Sequence, residues 1–338
     1  MTKALALATA ALVLITGVAH AGKTMDALKQ KDQLVCGTNP GLPGFASADS
    51  QGNWSGLDVD ICKAIAATIL GDPNKVKWVP LNASQRFTAL QSGEIDILSR
   101  NTTWTLTRDA SLGLEFTGVT YYDGQGFMVP KKSKITSAKQ LKGATVCVQS
   151  GTTTEKNLSD YSKANNLGMK AVVFETQEAT NKAYFAGRCQ AYTTDASGLA
   201  SVRNKEAGNP EDHLILPELI SKEPLGPAVR RGDDEYFTIV KWVVFALIES
   251  EEYGITRANV DQMKSSTDPV VQRILGTSED TGKLLGLDKD WAYRAIKAVG
   301  NYGEIFERNV GPSSALKLPR GANNLWSKGG LMYAPPVR

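Results

Sequence analysis

The sequence predicts an α/β fold of two lobes, each a mostly parallel sheet with helices on both faces, joined by a hinge of two strands. Three observations carry this reading. Strand-like and helix-like stretches alternate through residues 33–98 and again through 144–194, the order that builds parallel sheets by right-handed crossovers. The third strand is introduced alike in both blocks: F-T-A-L-Q-S-G-E-I-D-I-L-S at 87–99 and A-Y-F-A-G-R-C-Q-A-Y-T-T-D at 183–195 both read as helix, glycine, strand, polar turn. The chain passes between the blocks at 116–130 and returns at 213–227, and two such crossings make a hinge. Identity between the blocks is too low for a sequence repeat, so it is the architecture that is duplicated.

Residues 1–21 stand outside the fold. Lys3 supplies a basic start, 4–18 is an apolar run, and Ala19-His20-Ala21 is an A-x-A cleavage site, so we expect an export signal cut after Ala21. The run is short and alanine-rich for a membrane span, and no later stretch approaches the roughly eighteen apolar residues that one needs. We therefore expect an exported chain with no direct membrane insertion.

A short entry helix is expected at 24–31, a strand at 33–37, and a Gly/Ser/Asp-rich loop at 41–53. Helical periodicity at 58–70 places Ile61, Ile65 and Ile69 on one face. A strand at 76–81, a helix at 83–92 with Phe87 and Leu90 inward, and a strand at 95–98 complete the first block. The second block reads as strand 144–149, helix 153–165, strand 170–174, helix 176–187 and strand 190–194. A strand follows at 228–231, then a long helix at 234–251 whose Phe237, Val240, Trp242, Val243 and Leu247 assign it to the first lobe. Beyond it the chain is helical, anchored by Trp291, Tyr293, Tyr302 and Phe306, and ends in a Gly/Pro-rich tail. The expected organisation is 1–21 signal peptide, 22–122 first lobe, 123–223 second lobe, and 224–338 return to the first lobe plus a C-terminal helical extension.

The charge balance, 38 Lys and Arg against 35 Asp and Glu, gives no basis for a nucleic-acid or anionic-membrane partner. Four cysteines in an exported chain invite pairing, with three connectivities open and four free thiols as the other reading. Cys36 and Cys62 fall on neighbouring elements of one α/β unit, and so do Cys147 and Cys189, so those are the pairs we expect. With only His20 and His213 in the chain, a zinc site is not expected, nor any other metal or cofactor.

The polar loop after the third strand, S-R-N-T-T-W-T-L-T-R at 99–108, is the candidate site. It carries Ser99, Arg100, Asn101, Thr102, Thr103 and Arg108 beyond the carboxyl end of a buried strand, where open α/β sheets bind ligands. A solvated loop with a surface arginine is the alternative.

Three stretches resemble the periplasmic solute-binding proteins of ABC-type amino-acid uptake systems, family 3 type. G-L-D-V-D-I-C-K-A-I-A at 56–66 is similar to the family's first-helix signature. I-D-I-L-S-R-N-T-T-W-T-L-T-R at 95–108 is similar to its ligand loop, and Q-S-G-T-T-T-E at 149–155 with T-T-D at 193–195 to the second lobe's half of the site. The similarity covers about 33–251, and N-Y-G-E-I-F at 301–306 points to the longer, general L-amino-acid branch.

The resemblance implies the periplasmic-binding-protein fold and a periplasmic monomer. Such a receptor captures free L-amino acids between its lobes and delivers them to an ABC-type membrane permease, without catalysis. The implied ligand set is Asn39, Arg100, Asn101, Thr103, Arg108, Thr153 and Asp195. Arg108 is to fork the α-carboxylate, with Thr103 and the N–H of Thr153 at a helix start. Asp195 is to meet the α-ammonium with the carbonyl of Asn101. Each has a plainer role: Arg108 pairing with Asp109 or Glu115, Asp195 and Thr153 as helix caps, Asp58 and Asp60 as helix-start carboxylates.

The chain departs from the family in its side-chain pocket. Leu42 and Ala83 stand near the usual aromatic positions, and Arg100 and Asn101 stand where small serines are frequent. Trp54, Arg86, Arg100, Tyr121 and Tyr192 are candidates for rebuilding that pocket, and Arg100 would favour an acidic or amide side chain. Two other functions stay open: a ligand-sensing module for a receptor kinase, and a dehydratase-like enzyme on the same fold using Asp58, Asp60 or Asp195.

Overall fold

The computed structural model describes residues 23–338; the export signal read over 1–21 lies outside them. Two five-stranded sheets form the two lobes. In the first, Leu34–Thr38 is flanked by Val76–Pro80 and Ile97–Leu98, both parallel to it, and Ala228–Arg230 then runs antiparallel between Ile97–Leu98 and Leu114–Phe116. In the second, Thr145–Gln149 lies between Lys170–Phe174 and Ala191–Asp195, again parallel, and Gln125–Pro130 and His213–Ile215 add two antiparallel strands. Strand order is therefore the same in both lobes: second, first, third, then one strand that belongs to a crossing. Inner strands such as Leu34–Thr38 and Thr145–Gln149 are largely buried because both faces of the sheet are covered, whereas Ala191–Asp195 turns polar toward its end.

The crossings pair with each other. Tyr121–Asp123 leaves the first lobe and Glu223–Leu225 returns to it, antiparallel, with Glu223 opposite Asp123. Both pairs of cysteines are bonded as expected, Cys36 with Cys62 and Cys147 with Cys189, each within one lobe.

Helix Asp234–Glu252 buries Val240, Val243 and Leu247 against the first lobe, together with helices Leu57–Leu70, Trp291–Val299 and Tyr302–Asn309. Trp291, Tyr302 and Phe306 are fully buried, whereas Tyr293 is half-buried and donates its hydroxyl to Asp261. The tail then returns across the hinge: the side-chain amide of Asn323 accepts from the Tyr122 N–H at 2.7 Å and donates to its carbonyl at 3.1 Å, as another strand would.

The helix expected at 83–92 begins only at Arg86, because Asn82 folds the preceding residues into a turn that accepts the Gln85 N–H at 2.9 Å. The strand expected at 95–98 is reduced to Ile97–Leu98; the Asp96 carboxylate takes the Val35 N–H that a ladder carbonyl would otherwise take.

Candidate functional site

A cleft between the lobes is lined from the first by Leu42, Arg86, Arg100, Asn101 and Thr103, and from the second by Thr153, Tyr192 and Asp195 among others. In the first lobe the chain leaves Ile97–Leu98 and turns at Asn101, whose φ of 24° is rare for a side chain other than glycine and best tolerated by Asn or Asp. Two contacts hold that turn: the Asn101 N–H donates to Asp58 at 2.8 Å, and its side-chain oxygen accepts from Asn39 at 3.2 Å. Its carbonyl accepts no hydrogen bond among the described residues.

Thr103 then bridges Leu225 of the hinge. The Trp104 N–H donates to the Pro224 carbonyl at 2.8 Å and the Gly226 N–H to the Thr102 carbonyl at 3.0 Å. In that pattern the N–H and carbonyl of Thr103 itself point away from the hinge. The carbonyl accepts from Arg108 Nη1 at 2.9 Å, and on the same side the N–H has no acceptor among the described residues. Arg108 lies on the short helix Leu106–Ser111 capped by Thr105, with its guanidinium 5.0 Å from the centre of the Phe87 ring. It is buried directly behind Thr103 and is not itself in the cleft wall. Asp109 and Glu115, its plainer partners, pair instead with Arg231.

Arg86 and Arg100 are both in the wall, at 3% and 2% exposure. Arg100 Nε donates to the Leu81 carbonyl at 2.9 Å and Arg86 Nη1 to the Thr102 hydroxyl at 3.2 Å, while Arg86 Nε is buried with no partner among the described residues. None of the three arginines forms an ion pair among those residues. Burial, and then the neighbouring guanidinium groups, pull Arg86 well below the usual arginine range; burial pulls Arg100 down to about 10 despite nearby Asp58. Asp58 is pushed up to about 6 by burial against the Asn101 N–H. Three buried guanidinium groups without a direct ion-pair contact, with Asp58, Asp195 and Glu223 acting on them only at longer range, are costly unless an anion joins them.

The second lobe supplies the opposite charge. Asp195 ends strand Ala191–Asp195 and precedes helix Ala196–Glu206 without capping it, and its carboxylate accepts no hydrogen bond among the described residues. It is 7% exposed, and burial, with Asp123 and Glu223 nearby, pushes it well above the usual carboxylate range. Thr153 opens the helix Thr153–Ala164, whose cap is Thr152, so the N–H of Thr153 is among those without an intrahelical acceptor.

The remaining predicted residues divide. Asn39 is not in the wall: it ties the lobes by donating to both Asn101 and Gln177 at 3.2 Å. Asp60 is committed to Arg308 and Asn309. Tyr192 lines the cleft, with its hydroxyl on Asn181 at 2.9 Å. Trp54 instead stacks on Trp78, and Tyr121 packs on Phe45 and Phe306. One residue escaped the sequence altogether. Glu223, 1% exposed on the returning hinge strand, accepts from Thr103 at 2.6 Å and from Thr153 at 2.8 Å. The unusual glutamate before Pro224 in an otherwise apolar strand was the only signal available.

Comparison with known proteins shows the family. Residues 34–258 match the model of the bacterial extracellular solute-binding proteins, family 3. The chain is 60% identical to the general L-amino acid-binding periplasmic protein AapJ of Rhizobium johnstonii, over 99% of both chains. It is 53% identical to the glutamate/glutamine/aspartate/asparagine-binding protein BztA of Rhodobacter capsulatus, over 100% of both. A solved structure of an ABC transporter/periplasmic binding protein from Brucella ovis with glutathione bound superposes with a TM-score of 0.91 at 58% identity, covering 93% of this chain and 99% of that one.

Proposed function

The chain belongs to the bacterial extracellular solute-binding proteins of family 3, and on that premise we propose that it captures free L-amino acids between its lobes and presents the closed complex to an ABC-type permease. The observation that carries this is the division of charge across the cleft. Unpaired guanidinium groups stand on the first lobe, and a partnerless carboxylate, Asp195, stands on the second. A zwitterion satisfies both, and only when the lobes are together, so closure follows ligand.

In this reading the α-carboxylate meets the N–H groups of Thr103 and Thr153 and the charge of Arg108. The α-ammonium meets Asp195 and the carbonyl of Asn101. Arg86 and Arg100 remain for the side chain and favour one that carries a carboxylate or amide. Asn39 serves closure by bridging Asn101 to Gln177. The protein is then a periplasmic monomer, exported by cleavage after Ala21, with lobes over 22–122 and 224–338 and over 123–223. No helix among the described residues is long and apolar enough to cross a membrane.

The binding role is favoured over an enzymatic one because two of the three carboxylates considered for acid/base work are otherwise engaged, and the third, Asp195, faces the guanidinium groups across the cleft as the ammonium's partner. Asp58 holds the Asn101 turn, and Asp60 pairs with Arg308. His213, the only histidine after the signal, bonds Tyr184 through Nδ1 at 2.8 Å, away from the cleft. The relatives at this identity carry binding-protein names. A thermal-shift screen of the standard L-amino acids tests the reading, since a ligand bound only by the folded chain raises its melting temperature. Shifts by several amino acids, largest for glutamate or aspartate, are expected; a screen in which none shifts overturns it.

A further inference from the structure

We infer that Glu223 is the latch of the closed state: a hinge carboxylate that fastens the first lobe to the second through hydroxyl and amide donors, independently of ligand. Its two oxygens collect four donors. Oε2 takes the hydroxyls of Thr103 at 2.6 Å and Thr153 at 2.8 Å; Oε1 takes the Asn157 amide at 2.8 Å and the Ser221 hydroxyl at 2.5 Å. Thr103 belongs to the loop of the first lobe, whereas Thr153 and Asn157 lie on the first helix turns of the second.

Backbone pairing decides which of these contacts can break. The bridge fixes Thr103 to Leu225, and Glu223 lies two residues earlier on the same short hinge strand, at the boundary between the lobes and paired there with Asp123, so we infer that Glu223 and Thr103 travel together. Thr153 and Asn157 travel with the second lobe. Opening the cleft therefore separates Glu223 from Thr153 and Asn157 while leaving it on Thr103. The latch is thus two hydrogen bonds to a buried carboxylate, a strong kind of hydrogen bond.

The same arrangement fixes the polarity of the site. A hydroxyl has one proton, and a carboxylate is an acceptor only. Thr103 and Thr153 both spend theirs on Glu223 and turn only lone pairs elsewhere. Neither hydroxyl is then a donor to the ligand's carboxylate, which is left to the two N–H groups and Arg108. The inference rests on the binding role for its meaning but not for its test.

Spin labels on Glu94→Cys and Lys142→Cys, exposed positions on opposite lobes, report the lobe separation. In the ligand-free protein, Glu223→Gln is expected to shift the closed-to-open ratio toward open by roughly ten-fold, the scale of losing a charged hydrogen bond. Thr153→Val is expected to do the same, and the two together little more than either, since they remove one interaction. With L-glutamate as probe, the off-rate rises by a similar factor while the on-rate holds. Superimposable ligand-free distance distributions for wild type and Glu223→Gln, or effects that simply add, overturn the latch. If Glu223→Gln fails to fold, Thr153→Val and Asn157→Leu carry the same test from the helix side. A latch present in a protein that no amino acid stabilises would sink the functional reading alone.

Discussion

The two lobes share a strand order but contribute unlike halves to the cleft. In the first, the third strand ends in an irregular loop turned by Asn101 and surrounded by Arg86, Arg100 and Arg108. In the second, the third strand ends directly in Asp195, and the other contribution is a helix start at Thr153. One half is a cluster of cations with two oriented N–H and C=O groups; the other is one carboxylate and a helix dipole. A duplicated architecture supplies matching positions at the ends of strands, and the charges placed there decide which end of a zwitterion each lobe holds.

Reversing or erasing one side of that contrast gives the largest effects. Arg108→Ala should weaken every amino acid alike, by roughly a hundred- to a thousand-fold, if, as proposed, its charge acts from behind Thr103 on the shared α-carboxylate; calorimetry across several ligands checks this. A loss confined to some side chains would show that Arg108 reads the side chain instead.

Asp195→Asn should cost about a hundred-fold by removing the ammonium's partner, and it has a distinctive pH signature. Burial raises Asp195, and an ammonium beside it pulls it back down. Binding therefore releases a proton wherever the pH lies between the two values, so wild-type affinity should rise with pH across that interval and the variant's should not. Titration in buffers of different ionisation enthalpy detects the proton.

Arg86→Gln should lower affinity for glutamate and aspartate by about ten-fold and leave alanine nearly unchanged, sharpening the division between what reads the shared groups and what reads the side chain. Gly151→Val probes closure from the second lobe. Its φ is +71°, and a Cβ there would stand 3.2 Å from the backbone of Ser84 in the first lobe. A several-fold weaker affinity is expected, with a smaller closed fraction. The smallest contrast is between the disulfides. Loop closure predicts roughly 3.5 kcal/mol for the 26-residue separation of Cys36–Cys62 and roughly 4 for the 42 of Cys147–Cys189. Denaturant unfolding of the paired alanine variants should find the two nearly equal.

Much of this was legible in the chain because it is written in local signals. The alternation of short apolar runs with helical periodicity gave the two sheets. Gly93 ends its helix as a left-handed cap before the third strand, as its place in the pattern required. Cysteines on adjacent elements gave the disulfides, since neighbours in an α/β unit are neighbours in space. The loop at 99–108 and Asp195 were visible as polar residues at strand ends. Boundaries were less so: the helix expected from 83 yields to the Asn82 turn, a side-chain contact that periodicity does not register.

What the sequence by itself determined is therefore the periodic and the local: two α/β lobes, their order, the hinge crossings, and the loops that carry the cleft. What only the tertiary structure decided is which charges are left alone there. Arg86 and Arg100 in the wall, Arg108 one residue behind it, Trp54 and Tyr121 elsewhere, and Glu223 gathering donors from 103, 153, 157 and 221 all depend on side chains far apart in the chain. The physical reason is that burial and pairing are properties of the folded neighbourhood. A sequence fixes which groups bear charge, but only packing determines which of them meet a partner and which must wait for one.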